Sequence, residues 1–369
     1  MPIKVLVISS YKDSWNAVRP EGEIFIGLQK AGLDITVMTQ GDAPFAERFR
    51  DAGIRVIDFH PHRRINLSDI RFIRRALQEG KYDVMHLFNR GAIINGALAA
   101  RGLPVKVAAY RGYTSNNMKW YLPQSYLLFL NPRIDVITCL ADSVRDHLRR
   151  QLWRPEKAIT VNKGHDLSWY ASIEPLDLAN EFRLPPDAFT FVCVANARKM
   201  KGVRYLIAAT HYLPPGLNIR VLLIGRDMDS PRIMRMVQRS PYRAHFVFPG
   251  YRNDALNIVA AANAFVLPSI KGEATPKAGL EAMSLGIAPI LTAIPGNKGM
   301  IEDGISGWIV PPKDPPAIAK AMQHLYEHPE QAQQMGAQAR QRIATIFSTQ
   351  RTVQEMRKVY ENLLAGTNG

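Results

Sequence analysis

The sequence predicts an α/β protein made of two Rossmann-like, doubly wound halves. Three observations carry this. Short apolar runs alternate with helical patterns through the first third, and the same alternation restarts near Phe189 after a Pro-rich stretch. The length, 369 residues, also suits two domains at roughly 150 residues each. Strands that alternate with helices pair in parallel through right-handed crossovers.

Taken in order, Lys4 to Ile8 reads as a strand, Glu23 to Lys30 as an amphipathic helix and Asp34 to Met38 as a strand. Ile54 to Phe59 is a third strand, and Ser68 to Gln78 a helix. Asp83 to Leu87 and Val105 to Ala109 are strands around an apolar helix, Ala92 to Ala100. Ile134 to Cys139 is a sixth strand, followed by a helix from Ser143 to Arg150 with serine as its cap. Glu174 to Asp187 lacks periodicity and reads as a linker, with the joint near residues 165–185. Beyond it, Phe189 to Ala195, Arg220 to Ile224, His245 to Phe248, Ala264 to Leu267 and Ala288 to Leu291 read as strands. Helices Val203 to Leu213, Pro231 to Val237, Ala255 to Ala262 and Lys277 to Ser284 separate them. A last helix, about Thr349 to Leu364, gathers Val353, Met356, Val359, Tyr360 and Leu363 on one face. The expected division is 1–170, 171–345 and a C-terminal helix in 346–369 that closes the second domain or returns to the first.

Composition bounds the function. A hydrophobic fraction of 47% and a charged fraction of 21% are those of an ordinary globular protein. They exclude collagen, long disorder and a disulfide miniprotein. Cys139 and Cys193 lie in apolar runs, so the chain reads as a reduced, cytoplasmic protein. MPIKVLVISS reads as a strand and not as a signal peptide, and no run approaches the roughly 18 apolar residues of a membrane span. The charge is less ordinary: 47 basic against 32 acidic residues give +15. Such an excess points to nucleic acid, a phosphate-bearing ligand or an acidic membrane surface.

Ligands of doubly wound sheets sit at the carboxyl ends of strands. After Ala264 to Leu267 comes PSIKGEATPKAGLEAMSLG, where seven residues separate Glu273 from Glu281. The carboxylates bracket a helix start whose amides and dipole favour an anion. A ligand with polyols on both sides of a diphosphate fits that arrangement. A pair of acids merely favouring a helix dipole fits it too.

The longer segment PSIKGEATPKAGLEAMSLGIAPILTAIPGNKGMIEDGISGWIVPPKDPPAIAKAM resembles the donor-site segment of retaining glycosyltransferases of family 4. Those enzymes have the GT-B fold, two Rossmann-like domains facing across a cleft. VANARKMKGVRYLIAA resembles their strand-loop-helix, with Lys201 at the Lys-Gly position, Asn196 where an Arg is usual, and Arg198 two residues on. VNKGHDLSWY resembles their interdomain segment, with Lys163, Gly164 and Asp166 in step. The resemblance implies that Glu281 bonds the ribose and Glu273 the donor sugar. Lys201 and Arg198 then neutralise the leaving diphosphate, assisted by Thr275, Pro276, Lys277, Ala278 and Gly279, while Gly250, Tyr251 and Arg252 run along the nucleobase. It implies no cofactor and no metal: the co-substrate is a nucleotide-diphosphate sugar, with uridine diphosphate favoured. Asp227 and Asp229 spell a D-x-D that belongs to a different transferase fold.

In the first half the likeness is architectural. SSYKDSWNAVRPEGE replaces the usual Gly-Gly loop, which leaves Arg19, Glu21 and Gly22 as acceptor-side candidates, with His86 at the end of a later strand. Arg111 stands where the family often has a histidine, and is counted with the catalytic residues. The implied acceptor is a cell-envelope glycan or glycolipid. Arg63, Arg64, Arg71, Arg74 and Arg75 form a basic amphipathic patch suited to anionic lipid, which would place the protein on the inner face of the cytoplasmic membrane. The competing readings are another GT-B enzyme, such as a nucleotide-sugar epimerase or a phosphorylase, and a basic nucleic-acid-binding protein; no recognised nucleic-acid module or aromatic platform supports the last.

Overall fold

The computed structural model describes residues 2–13, 15–61, 64–114 and 121–366; Arg63 of the basic patch lies outside them. The chain forms two compact units, Met1–Gly164 with Phe347–Gly369, and His165–Ile346.

The first unit runs β1 (Lys4–Ile8), α1 (Trp15–Lys30), β2 (Asp34–Thr39), α2 (Ala46–Asp51), β3 (Arg55–Asp58), α3 (Leu67–Gly80) and β4 (Val84–Leu87). It continues with α4 (Arg90–Ala99), β5 (Lys106–Arg111), α5 (Pro123–Tyr126), β6 (Val136–Cys139), α6 (Asp142–Arg149) and β7 (Ala158–Thr160). The sheet order is β3-β2-β1-β4-β5-β6-β7, parallel throughout. The central strands, VLVI in β1 and VMHL in β4, are buried on both faces, as a parallel sheet covered on two sides requires.

The second unit repeats the plan. It comprises α7 (Leu178–Phe182), β8 (Phe189–Val194), α8 (Val203–Ala209), β9 (Ile219–Ile224), α9 (Pro231–Gln238), β10 (Phe246–Gly250), α10 (Ala255–Ala260) and β11 (Ala264–Leu267). Then come α11 (Lys277–Ser284), β12 (Ala288–Thr292), β13 (Trp308–Val310), α12 (Pro315–Glu327) and α13 (Pro329–Thr345). Its sheet, β10-β9-β8-β11-β12-β13, is again parallel.

The last helix, α14 (Thr349–Ala365), belongs to the first unit. Val353, Met356 and Tyr360 join one core with Val5, Val7, Phe25, Leu28 and Ile35. A Cβ on Gly27 would lie 2.4 Å from Val353 Cγ2, so the missing side chain on α1 is what admits α14. Arg357 donates to the Ala31 carbonyl at 3.1 Å.

Several elements differ from the sequence reading. α1 starts at Trp15 and takes Pro20 into its interior, giving up one backbone bond there; Pro and Gly in one turn disguised it as loop. Ala141, not Ser143, occupies the cap position of α6, and the Ser143 hydroxyl is buried without a partner. The expected linker contains α7, capped by Asp177, whose carboxylate accepts from the Asn180 amide at 3.0 Å. Two edge strands, β7 and β13, have only three residues each, too few for a periodic signal.

His86 on β4 is fully buried, bonded through one ring nitrogen to Tyr360 Oη at 2.8 Å and through the other to Thr138 Oγ1 at 3.0 Å. Burial, helped by the Lys163 charge, lowers its pKa from 6.5 to about 3. The unfolded chain therefore takes up this proton first. Its contribution to stability is complete above pH 6.5 and is lost on acidification, at about 1.4 kcal/mol per pH unit between those two values. Urea unfolding at pH 7.5 and 5 should show that loss, and His86→Gln should reduce it. An equal pH slope in the variant would assign the effect elsewhere.

Candidate functional site

In each sheet the strand order reverses once, between β1 and β4 in the first unit and between β8 and β11 in the second. Connections leave in opposite directions there, so the carboxyl ends of the two strands open a crevice. In the second unit Lys201 reaches this point from a 3-10 turn, Lys199–Lys201, after β8. Its ammonium donates to Glu273 Oε1 at 2.6 Å, and Ser269 Oγ donates to the same oxygen at 2.8 Å. Two glycines permit the arrangement. A Cβ on Gly202 would meet the Pro268 carbonyl oxygen at 1.9 Å, and one on Gly296 would meet the Glu273 carbonyl oxygen at 2.0 Å. The loops after β8 and β11 are thus held against each other by backbone contact.

α11 starts behind an extended Pro276. The amides of Gly279 and Leu280 return to the Pro276 carbonyl, whereas those of Lys277 and Ala278, first in the helix, have no carbonyl within it to bond. The Thr275 hydroxyl donates to the Ala274 carbonyl at 2.9 Å. One turn on, the Lys277 ammonium pairs with Glu281 Oε1. Two carboxylates and two ammoniums therefore stand around one helix start, paired as Lys201–Glu273 and Lys277–Glu281.

The other residues expected at the donor site make none of these contacts. Gly250 ends β10, and Tyr251 after it is 62% exposed, with the Arg226 guanidinium 5.0 Å from its ring centroid. Arg252 binds both oxygens of Asp254 at 2.7 Å and Glu181 at 2.7 Å. Those hydrogen bonds raise its pKa, and its charge is spent on tying the loop to α7. Arg198 lines a small cavity with Arg204 and Arg232. Asn196, where the family has arginine, accepts from the Arg226 amide at 3.2 Å and so joins the loops after β8 and β9. Asp227 and Asp229 are exposed, and among the described residues no three His, Cys, Asp or Glu side chains form a metal-binding group.

In the first unit Glu21 on α1 faces the crevice between β1 and β4. Ser9 Oγ donates to Glu21 Oε1 at 2.7 Å, and Lys163, after β7, donates to Oε2 at 2.6 Å. The Lys163 ammonium also lies 4.6 Å from the Tyr110 ring centroid. Burial pulls its pKa down, but the Glu21 carboxylate more than reverses this and holds it above the ordinary lysine value. Lys163 is visible in the sequence as part of a family motif, but its partner lies 142 residues away.

Two acceptor-side expectations change. His86 has no exposed surface and cannot meet an acceptor; it anchors α14. Gly22 lies within α1 against Phe45, whose Cε1 would be 2.1 Å from an added Cβ, so it is a packing glycine. Arg19 is half-buried on the same helix. In the segment that replaces the Gly-Gly loop, Tyr11 holds a positive φ of 46°, its ring stacked on Phe45 and edge-on to Phe49. No glycine signal announces it.

Arg111 is buried at the end of β5. Its Nε donates to the Tyr113 carbonyl at 2.9 Å, and its guanidinium packs on Tyr113 and Phe129; burial lowers its pKa. In the basic patch Arg64, Arg71 and Arg75 are exposed. Arg74 instead braces the end of α4, donating to the carbonyls of Ala99 and Arg101 at 2.9 and 2.6 Å.

Two families match the chain, one in each half: Glycosyltransferase Family 4 over residues 23–169 and Glycosyl transferases group 1 over residues 177–342. The UDP-Gal:alpha-D-GlcNAc-diphosphoundecaprenol alpha-1,3-galactosyltransferase of Escherichia coli is 24% identical over 351 residues, 90% of each chain. Among solved structures, a glycosyltransferase from Rickettsia africae ESF-5 has a TM-score of 0.82 at 16% identity, over 98% of this chain and 99% of its own. HepE of Anabaena, solved with UDP and glucose, has a TM-score of 0.75 at 16% identity, over 98% of this chain and all of its own. The fold is GT-B.

The Glu21–Lys163 pair generates a stability prediction. Glu21→Ala leaves a half-buried ammonium without its carboxylate and should lower the unfolding free energy by about 1–3 kcal/mol, whereas Glu21→Leu with Lys163→Met should recover most of it. Urea unfolding of the three variants measures this. A double variant no better than Glu21→Ala would show that the ions do more than satisfy each other.

Proposed function

We propose, because the chain belongs to the family 4 and group 1 glycosyltransferases with one family domain in each half, that it moves a sugar from a nucleotide-diphosphate sugar to a cell-envelope glycan or glycolipid, with retention of configuration. The observation that carries the reading is the double Lys–Glu arrangement at the reversal point of the second sheet. A nucleotide sugar has hydroxyls at both ends and two negative charges between them. Glu281 accepts from the ribose and Glu273 from the donor sugar, while Lys201 and the amides of Lys277 and Ala278 take the diphosphate. Transfer passes through an oxocarbenium-like state. The ammonium and the helix start therefore sit where negative charge develops on the leaving group, and the positive charge comes from the chain itself, with no metal or cofactor in the scheme.

Uridine diphosphate is the favoured carrier. Support comes from the UDP-dependent name of the Escherichia coli relative and from the UDP held by HepE. Exposed Tyr251, backed by Arg226, offers a face on which a base can stack. The lipid-linked acceptor named for that relative supports an acceptor of the same class here.

A membrane surface is the proposed partner of the first unit. Ile65, Leu67 and Phe72 are 51%, 68% and 40% exposed beside exposed Arg64, Arg71 and Arg75, a pattern suited to the headgroup boundary. Among the described residues no helix is long and apolar enough to cross a membrane.

Each reading has its test. Glu281→Ala and Lys201→Ala should each weaken calorimetric binding of a uridine diphosphate sugar by about ten- to a hundredfold, the worth of a hydrogen bond to a charged group, with the far-ultraviolet spectrum unchanged. Unaltered affinity in both sinks the donor-site assignment. Changing Arg64, Arg71 and Arg75 together to Ser should reduce sedimentation with phosphatidylglycerol vesicles, each charge being worth about 1 kcal/mol at the surface, while Arg74→Ser should act on stability. Equal sedimentation of the triple variant would make the patch a solvated face.

A further inference from the structure

On the other flank of β8, away from the Lys201–Glu273 contact, the loops before α8 and α9 enclose an open cavity of about 70 Å3. Ala197, Val203, Ile233 and Met236 make its floor. Its rim is Arg198, Lys199, Arg204 and Arg232, with Ser230 between them. All four cations are exposed. Among the described residues only the Arg204 side chain of the four has a polar partner, the Tyr205 hydroxyl at 2.6 Å, with its guanidinium packed over that ring.

Four like charges around one hollow are unfavourable unless something neutralises them. Elsewhere the chain provides for this: Arg48 pairs with Glu23, Arg133 with Asp135, and Arg252 with Glu181 and Asp254. Among the described residues no carboxylate lies within 4 Å of any of the four rim cations. Asp227 and Asp229 stand in the loop leading to Ser230 and reach none of them. The start of α9 adds its own weak preference for an anion, because the helix dipole is positive at that end and Ser230 makes no side-chain cap bond there, while Pro231 contributes no N–H.

We propose that this cavity is a second anion site, separate from the donor diphosphate site, and that it takes a phosphoester. The phosphoryl oxygens lie among the rim guanidiniums, which match them in planar, two-point geometry, and the first carbons of the esterified alcohol rest on the apolar floor. The volume is about that of two waters in the liquid, so it admits the phosphoryl group with the first carbons attached to it and leaves the rest of the ligand outside. Being called second rests on the donor-site reading above; the site itself does not. The alcohol can be a sugar or a lipid, which share this headgroup chemistry.

The test uses the full chain saturated with UDP, into which glucose 1-phosphate and, separately, soluble dihexanoylphosphatidic acid are titrated in a calorimeter. At least one should bind, and the tighter of the two identifies the alcohol. Arg204→Ser with Arg232→Ser, at exposed positions that leave the cores intact, should lose about tenfold or more of that affinity and keep UDP affinity within about twofold. The proposal is overturned if neither phosphoester binds, if the double variant binds it as the parent does, or if UDP affinity falls in parallel, which would merge the cavity with the donor site. Should UDP not bind at all, the donor reading fails, and titration of the phosphoesters into the ligand-free chain and its double variant still decides this one.

Discussion

A parallel sheet must be covered on both faces, because each crossover returns over one face and strands buried on both sides carry apolar residues in both directions. Most features of this chain follow from that requirement. In the first unit the chain's own crossovers leave part of one face bare, and α14 supplies the cover with Val353, Met356 and Tyr360. Docking α14 then demands a flat approach, met by Gly27, and a partner for the Tyr360 hydroxyl, met by His86. A histidine in the middle of a buried strand is otherwise out of place. Here its two ring nitrogens bridge β6 and α14.

The same topology decides where polar chemistry can survive. Inside the sheets polar groups would be stranded; at the carboxyl ends of the strands, beside the reversal of strand order, loops and helix starts offer partners. Both units place a lysine on a glutamate at that position, Lys163 on Glu21 and Lys201 on Glu273. The two differ in surroundings. The first pair lies against Ser9 and Tyr110 and fixes the end of β7 to α1. The second stands beside a helix start with amides to spare, an arrangement that a ligand can enter by exchanging one partner for another.

Much of this was legible in the residues. β1, β11 and α11 follow their expected bounds because their apolar patterns begin and end sharply. The pairing of Glu273 and Glu281 with lysines was not visible, although Lys277 stands one helical turn before Glu281 and Lys201 lies in a family motif; spacing says which helix a residue is on, not which way a flexible side chain turns. α1 was cut short because Pro20 and Gly22 look like a loop, and only the ring of Phe45 explains the glycine. The left-handed backbone at Tyr11 was hidden for the opposite reason: a bulky residue holds a conformation that ordinarily costs about 1–3 kcal/mol and is kept there by Phe45 and Phe49. Arg74 could not be told from its exposed neighbours, because its role depends on carbonyls of another helix.

The return of α14 to the first unit also sets an order of events during synthesis. A ribosome making this chain releases β1 to β7 early, yet the helix that completes their core emerges only after the whole of the second unit has been made. That second unit is continuous in sequence, so it can close its own core first, although it is translated later. The N-terminal half therefore waits with apolar surface uncovered for the length of an entire domain, in the state most open to chaperones and most exposed to aggregation.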